Sequence, residues 1–122
     1  MKKLREFQKF DAEAFLKDKK LVVKEVKDTL EYVDGNQTGT VLGTTIVAAI
    51  VEDSTIYSDE STGVNFMETF NIKVSKKDLE IAQGTEIKIS NVIKASVYGQ
   101  FQNNLSVETE TIHIAKRKEN NE

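Results

Sequence analysis

The feature that most constrains this chain is an alternation of apolar and charged side chains with a period of two, which occupies residues 20–33. In this stretch, KLVVKEVKDTLEYV, the apolar residues Val22, Val26, Leu30 and Tyr32 share one parity. Successive side chains of a strand point to opposite faces, so the pattern predicts a half-buried β-strand. An Asp-Gly pair follows at once and predicts a tight hairpin turn.

Four further segments carry strand signals, separated by polar stretches. They are residues 40–53, 64–74, 85–93 and 104–115. In the second of them, Val64, Phe66, Phe70, Ile72 and Val74 share one face, which predicts that Phe66 and Phe70 belong to the core.

Two local features interrupt this series of strands. Residues 75–84, SKKDLEIAQG, predict a helical turn with Ser75 as its N-cap and Gly84 as its stop. In the last strand the parity of the apolar residues changes between Val107 and Ile112, which predicts a bulge or kink.

The N-terminal residues 3–18 have a different period. Apolar side chains recur at intervals of three and four, which predicts an amphipathic helix whose stripe contains Leu4, Phe7, Phe10, Ala14 and Phe15. Two interpretations stay open: a helix docked on its own core, or an arm that packs on a neighbouring subunit. The second makes Phe7, Phe10 and Phe15 candidate residues for homo-oligomerisation.

The order of elements predicts a mainly β fold. Without a long crossover helix the strands are expected to be antiparallel. Five strands with a short helix between strands 3 and 4 have the layout of an oligonucleotide-binding (OB) barrel. The predicted division is an N-terminal helix or arm at 1–19, an OB-like β-barrel domain at 20–115 and a disordered tail at 116–122.

The stretch GTEIKISN…VYGQFQNNLSVETETI, within residues 84–112, resembles the closing half of an OB domain. Residues 20–115 are similar in layout to small OB-type single-stranded DNA-binding proteins, some of which are encoded by plasmids, phages and conjugative elements of Gram-positive bacteria. The resemblance implies a single-stranded DNA-binding function. The chain ends in KRKENNE, without the acidic, hydrophobic-tipped tail of the housekeeping bacterial members, so recruitment of repair enzymes through such a tail is not expected.

Residue types exclude several classes of chemistry. The chain has no cysteine and one histidine, His113, so thiolate catalysis and two-histidine metal sites are excluded. It has no P-loop ending, and the acidic stretch at 53–60 does not have the spacing of an EF-hand. We therefore expect a nonenzymatic protein without a cofactor or metal. With no apolar run of membrane-spanning length and no secretory signal, the expected location is cytoplasmic, with no membrane partner.

Single-strand binding needs aromatic faces for bases and cations for phosphates. The aromatic candidates are Tyr98 and Phe101 between strands 4 and 5, and Tyr57 between strands 2 and 3. The candidate cations and amides are Lys73, Lys88, Lys94, Asn103 and Asn104. Alternatively, Tyr98 or Phe101 anchors its loop inward, and the two asparagines only form a turn.

Charge distribution opposes strong nonspecific duplex binding. Residues 31–70 carry seven acidic and no basic side chains, whereas residues 1–30 have a net charge of +3 and residues 71–122 of +1. Two hypotheses follow. The first is a single-stranded DNA-binding protein of a mobile genetic element, with RNA as a further candidate ligand. The second is a small β-barrel that mediates protein interactions in a phage or conjugation apparatus.

Overall fold

The fold is one curled β-sheet preceded by a short helix. The computed structural model describes residues 1–4, 10–89, 91–99, 104–110 and 112–116. Within these residues the elements are α1 (Ala12–Leu16), β1 (Lys19–Val33), β2 (Asn36–Asp53), β3 (Thr69–Val74), β4 (Glu86–Ile89), β5 (Val92–Tyr98), β6 (Asn104–Thr109) and β7 (Ile112–Lys116). The seven strands form a single sheet in the order β5-β6-β3-β2-β1-β4-β7.

The curl of the sheet follows from the connection between β4 and β5. These strands are five positions apart in the sheet order, which is about 24 Å in a flat sheet. Only two residues join them, and such a link spans about 10 Å at most. The sheet must therefore curl into a half-barrel that brings β4 close to β5. The mainly β, barrel-like prediction is confirmed at this level.

The strand count and directions differ from the prediction. The predicted strand 85–93 is two strands, because Asn91 takes a left-handed conformation (φ +56°) between β4 and β5. The predicted strand 104–115 is also two strands, and its parity change marks the break between β6 and β7. The ladder between β3 and β6 is parallel, whereas the other ladders of the described residues are antiparallel.

The hairpin predicted at the Asp-Gly pair is present. Asp34 and Gly35 have φ values of +51° and +81°, as a type I′ turn requires at its two central residues. This turn matches the right-handed twist of its flanking strands, and β1 and β2 pair from Lys19–Asp53 up to Val33–Asn36.

Two other predictions about the middle of the chain were wrong. Residues 64–67 are turns and Glu68 is irregular, because the Met67 N–H donates to the Ile50 carbonyl of β2 (2.7 Å) and the Ile50 N–H donates to the Glu68 carbonyl (2.9 Å). Phe66 is consequently 55% exposed, while Phe70 is buried as expected. Residues 75–84 contain no helix. There the hydroxyl of Thr44 donates to the Lys76 carbonyl (2.8 Å) and accepts from the Leu79 N–H (3.3 Å), replacing helical partners.

Within the described part of residues 3–18, the N-terminal helix is shorter than predicted. It begins after Asp11, whose carboxylate accepts a hydrogen bond from the Ala14 N–H (3.0 Å). Ala12 is buried and Ala14 is exposed, so Ala14 does not belong to the packed stripe as predicted. Phe10 and Phe15 contact each other at 5.3 Å between ring centroids and pack against the core. Phe7 lies outside the described residues.

The core lies on the face of the sheet that α1 covers. Its buried apolar residues come from the helix and from five strands: Ala12, Leu21, Val23, Ile46, Ala48, Ile50, Phe70, Ile72, Val74, Ile87 and Val107. Burial of these side chains supplies the main driving force for folding, at about 25 cal/mol per Å² of apolar surface.

A buried ion pair closes one end of the β1–β2 ladder. Lys19, the first residue of β1, is the register partner of Asp53, the last residue of β2. Their side chains are fully buried, with 3.5 Å between the ammonium Nζ and the carboxylate Oδ1. The ammonium also donates to the Phe15 carbonyl (2.6 Å) and the Thr55 hydroxyl (3.1 Å), and it lies 3.9 Å from the Phe15 ring centroid.

The carboxylate of Asp53 organises the long loop that follows. It accepts hydrogen bonds from the Tyr57 hydroxyl (2.7 Å) and from the N–H groups of Thr55 (3.2 Å) and Asn65 (3.0 Å). Burial alone raises the pKa of Asp53, but these hydrogen bonds and the charge of Lys19 outweigh it and lower the pKa to about 2. The pair thus holds together α1, both strand ends and the loop 54–68.

Replacement of either partner of the Lys19–Asp53 pair should lower the free energy of unfolding strongly, and the two losses should not be additive. In Lys19→Met a buried carboxylate loses its cation, and in Asp53→Asn a buried ammonium loses its anion, so we expect each to lower the free energy of unfolding by about 3–5 kcal/mol. The double variant should lose clearly less than the sum. Urea unfolding measures this, with Lys20→Met as control, because Lys20 pairs with Glu86 at 3.8 Å while 47% exposed and should change stability by less than about 1 kcal/mol. Additive losses would show that the pair is not coupled.

Acid should destabilise the protein through Asp53. Its pKa is below the ordinary 3.8, so the unfolded state binds the proton more tightly than the folded state. The stabilisation is therefore complete above about pH 5 and is lost as the pH falls to about 2, an expected change of about 2 kcal/mol. Urea unfolding at several pH values should show this loss in the wild type and a smaller one in Asp53→Asn. Identical pH dependence in both would contradict the assignment.

Candidate functional site

A polar groove crosses β3, β6 and β5 on the face of the sheet opposite the core. Its volume is about 340 Å³, and it is lined by Asn71, Lys73, Lys94, Ser96, Tyr98, Ser106 and Glu108. The lining side chains alternate along each strand with residues that face the core, such as Ile72 and Val107. Strand alternation therefore places these side chains on the outer face of the sheet.

A bulge in β5 determines which residues of that strand reach the groove. Val92 is the partner of Thr109 and Lys94 is the partner of Glu108, so Ile93 is an extra residue in the ladder. Such a bulge shifts the parity of everything that follows. Lys94 consequently faces the groove and Ala95 packs against the core.

Register arranges the groove side chains in rows across the three strands. Lys73, Glu108 and Lys94 form one row, and Asn71, Ser106 and Ser96 form the next. Beyond them Tyr98 is paired with Asn104 at the end of the β5–β6 ladder. The groove thus passes from a charged row through a row of small polar groups to an aromatic side chain.

The groove carries a net charge of +1, from two lysines and one glutamate. In the part of the chain that the structure describes, the ion pairs within 4.0 Å are Lys19–Asp53 and Lys20–Glu86. Lys73 and Lys94 are exposed at the surface, so both ammonium groups are accessible to an anionic ligand.

The structure brings together three of the predicted binding residues. Lys73, Lys94 and Tyr98 line the same groove, and Asn104 is exposed beside Tyr98 in the ladder. Tyr98 is the last residue of β5 and is 46% exposed, whereas the sequence predicted that it lies in a loop. Phe101 and Asn103 lie outside the described residues.

Tyr57 is not part of this groove. Its hydroxyl donates to Asp53 and accepts from the Asn65 side-chain amide (2.8 Å), and its ring lies 5.5 Å from the Lys19 ammonium. The structure therefore gives Tyr57 a role in fixing the loop 54–68, instead of the base-stacking position that the sequence predicted.

Lys88 also lies elsewhere. It is exposed on β4, opposite His113 of β7, and lines a separate cavity of about 410 Å³ between α1, β1 and β4. His113 is exposed on its strand, as expected.

The predicted self-association residues Phe10 and Phe15 are half-buried against the core of their own chain. This placement corresponds to the docked-helix interpretation of the N-terminal segment. Their role in homo-oligomerisation stays a prediction, as does that of Phe7.

The acidic loop has no ligand geometry for a metal. Asp53 is committed to its buried network, whereas Asp59 is exposed and accepts hydrogen bonds from the hydroxyl and N–H of Ser61, which lower its pKa. Among the described residues no group of three or more acidic or histidine side chains could hold a metal ion. In the same residues, no helix has the length and apolar character needed to cross a membrane.

Sequence reasoning missed four groove residues: Asn71, Ser96, Ser106 and Glu108. Asn71 could have been found, because it shares parity with Lys73 on one strand. The other three depend on the parallel pairing of β6 with β3 and on the bulge at Ile93, which are long-range features.

Comparisons with known proteins give no family for this chain. No family model matches it, and no match was found among the curated proteins or among the solved structures.

Proposed function

We propose that this chain is a nonenzymatic protein that binds single-stranded DNA through the groove across β3, β6 and β5. The observation that carries the proposal is the convergence of Lys73, Lys94 and Tyr98 in one groove on the polar face of the sheet. Exposed aromatic rings stack on bases of any sequence, and lysines neutralise the backbone. RNA offers the same chemistry, so it is the second candidate ligand.

Topology supports the narrower proposal that the fold is OB-like. If β4 with β5, and β6 with β7, are each counted as one bent strand, five strands remain. The third then pairs with the fifth in parallel, and the first with the fourth antiparallel, which is the closure of an OB barrel. The groove adjoins the connection between the fourth and fifth of these strands, a region that such barrels use for binding. The resemblance to binders encoded by mobile elements motivates the proposal that this protein serves a plasmid, phage or conjugative element.

The direct test is fluorescence anisotropy with a labelled oligonucleotide of mixed sequence without self-complementarity, and with the matching duplex as control. We expect binding of the single strand at low salt and much weaker binding of the duplex, because residues 31–70 carry no cation. A folded protein that binds no single strand even at low salt would refute the proposed function.

Tyr98→Ala should weaken single-strand binding without unfolding the protein. The loss of one base-stacking contact is worth about 1–3 kcal/mol. Tyr98 is 46% exposed, so urea unfolding should show little change. Tyr32→Ala is the matched control, because Tyr32 is 62% exposed on the hairpin outside the groove and should leave binding unchanged. A large loss of stability in Tyr98→Ala would instead identify Tyr98 as a packing residue.

Lys73→Gln and Lys94→Gln should reduce the salt dependence of binding. Each phosphate contact with a single strand contributes about 0.7 to the slope of log K against log salt concentration. The slope should therefore become less steep by about 0.7 in each variant. Lys88→Gln removes an exposed lysine outside the groove and should leave the slope unchanged. Equal effects of all three substitutions would argue for a diffuse charge effect.

One observation favours the alternative, a protein-interaction module. The loop 54–68 presents Ile56, Val64, Phe66 and Met67 at exposures of 74%, 53%, 55% and 62%, while the Asp53 network holds its backbone. Exposed apolar groups on a fixed loop are typical of protein contact sites. The anisotropy experiment separates the two functions, because an interaction module without nucleic-acid binding predicts no signal with any oligonucleotide.

A further inference from the structure

A carboxylate lies inside a groove whose other charges are positive. Glu108 is flanked in register by Lys73 on β3 and by Lys94 on β5. Adjacent strands are about 4.8 Å apart, so the two lysines start from backbone positions one strand spacing away on either side of the glutamate. Among the described lining residues, Glu108 is the one acidic side chain.

A groove that bound only phosphates would bind them more tightly without the Glu108 carboxylate. Like charges close together repel, and the repulsion is strong where surrounding protein lowers the dielectric. The carboxylate is exposed to the groove, and the ion pairs of the described residues do not include it. Its two oxygens therefore remain available to accept hydrogen bonds from a ligand that donates them.

Distance along the strands separates Glu108 from the aromatic contact. The Tyr98 row lies four residues from the row of Lys94 and Glu108, which is about 13 Å along the sheet. At this separation between the rows, a base stacked on Tyr98 lies away from the carboxylate. A different base of the same strand would lie over the charged row, with its phosphates near the two lysines.

We infer that Glu108 makes this groove selective for bases that carry an exocyclic amino group over thymine and uracil. The inference rests on the proposed function. A carboxylate accepts hydrogen bonds from the amino group of cytosine, and unpaired bases of a single strand expose this Watson–Crick edge. Guanine and adenine carry amino groups as well. Thymine and uracil present one N–H between two carbonyl oxygens, which repel a carboxylate.

The test compares oligo-dC with oligo-dT of equal length at neutral pH and low salt. The proteins are the wild type, Glu108→Gln and the control Glu80→Gln, which removes the same charge from an exposed position outside the groove. We expect the wild type to bind oligo-dC at least about fivefold more tightly than oligo-dT. In Glu108→Gln the ratio should fall to near one, because an amide both donates and accepts, and affinity for oligo-dT should rise. In Glu80→Gln the ratio should stay at its wild-type value.

Two results would overturn the inference while leaving the proposed function intact. The first is equal affinity of the wild type for both oligonucleotides. The second is an equal gain for both in Glu108→Gln, which would mean that the carboxylate only reduces the positive charge of the groove. If neither oligonucleotide binds the wild type, the proposed function fails as well, so the two failures are distinguishable.

Discussion

The buried pair between Lys19 and Asp53 is the interaction on which most of this structure depends. It joins the first residue of β1 to the last residue of β2, and its remaining hydrogen bonds go to the end of α1 and to the loop 54–68. Two charges removed from water are stable only when each is fully partnered. The surrounding hydroxyl, carbonyl and N–H groups meet that requirement, and so their positions are fixed together.

The buried Lys19–Asp53 pair also affects how the rest of the sheet is built. With both strand ends held, β1 and β2 form a long antiparallel ladder to which β3 and β4 add on either side. Alternation along the strands then sends apolar side chains to the core and polar ones to the opposite face. The groove and its three rows lie on this opposite, polar face. The bulge at Ile93 shifts the parity of β5, so that Lys94 also faces the groove.

Local signals in the sequence predicted the elements that depend on local chemistry. The Asp-Gly turn, the strand from residue 20 and the buried Phe70 were predictable, because periodicity and turn geometry act over a few residues. The buried face of that strand was predicted wrongly: Leu21 and Val23 are buried and Tyr32 is 62% exposed, because bulges in β1 change the parity along the strand. Phe66 was misplaced because hydrogen bonds to the distant Ile50 and Asp53 turn its segment out of the strand. Residues 75–84 were misread as a helix because Thr44, far away in sequence, takes their backbone partners.

The residues of the candidate site likewise divide into those that local sequence could predict and those that it could not. Residue types identified Lys73, Lys94 and Tyr98, because stacking and phosphate binding need aromatic and cationic groups. Tyr57 was assigned a binding role on type alone, and only the structure shows its hydroxyl bonded to Asp53. No local sequence pattern indicated a binding role for Glu108, because that role depends on two lysines on neighbouring strands.

The parallel ladder between β3 and β6 also governs the order in which this chain can fold. Asn71 and Ser106 are register partners although the whole of β4 and β5 lies between them in the chain. Closing so long a loop costs chain entropy before any contact compensates for it, whereas the β1–β2 hairpin closes through a two-residue turn. The hairpin is therefore expected to form early and the β3–β6 ladder late. The groove, which needs β3, β6 and β5 side by side, would then be among the last parts of the molecule to be assembled.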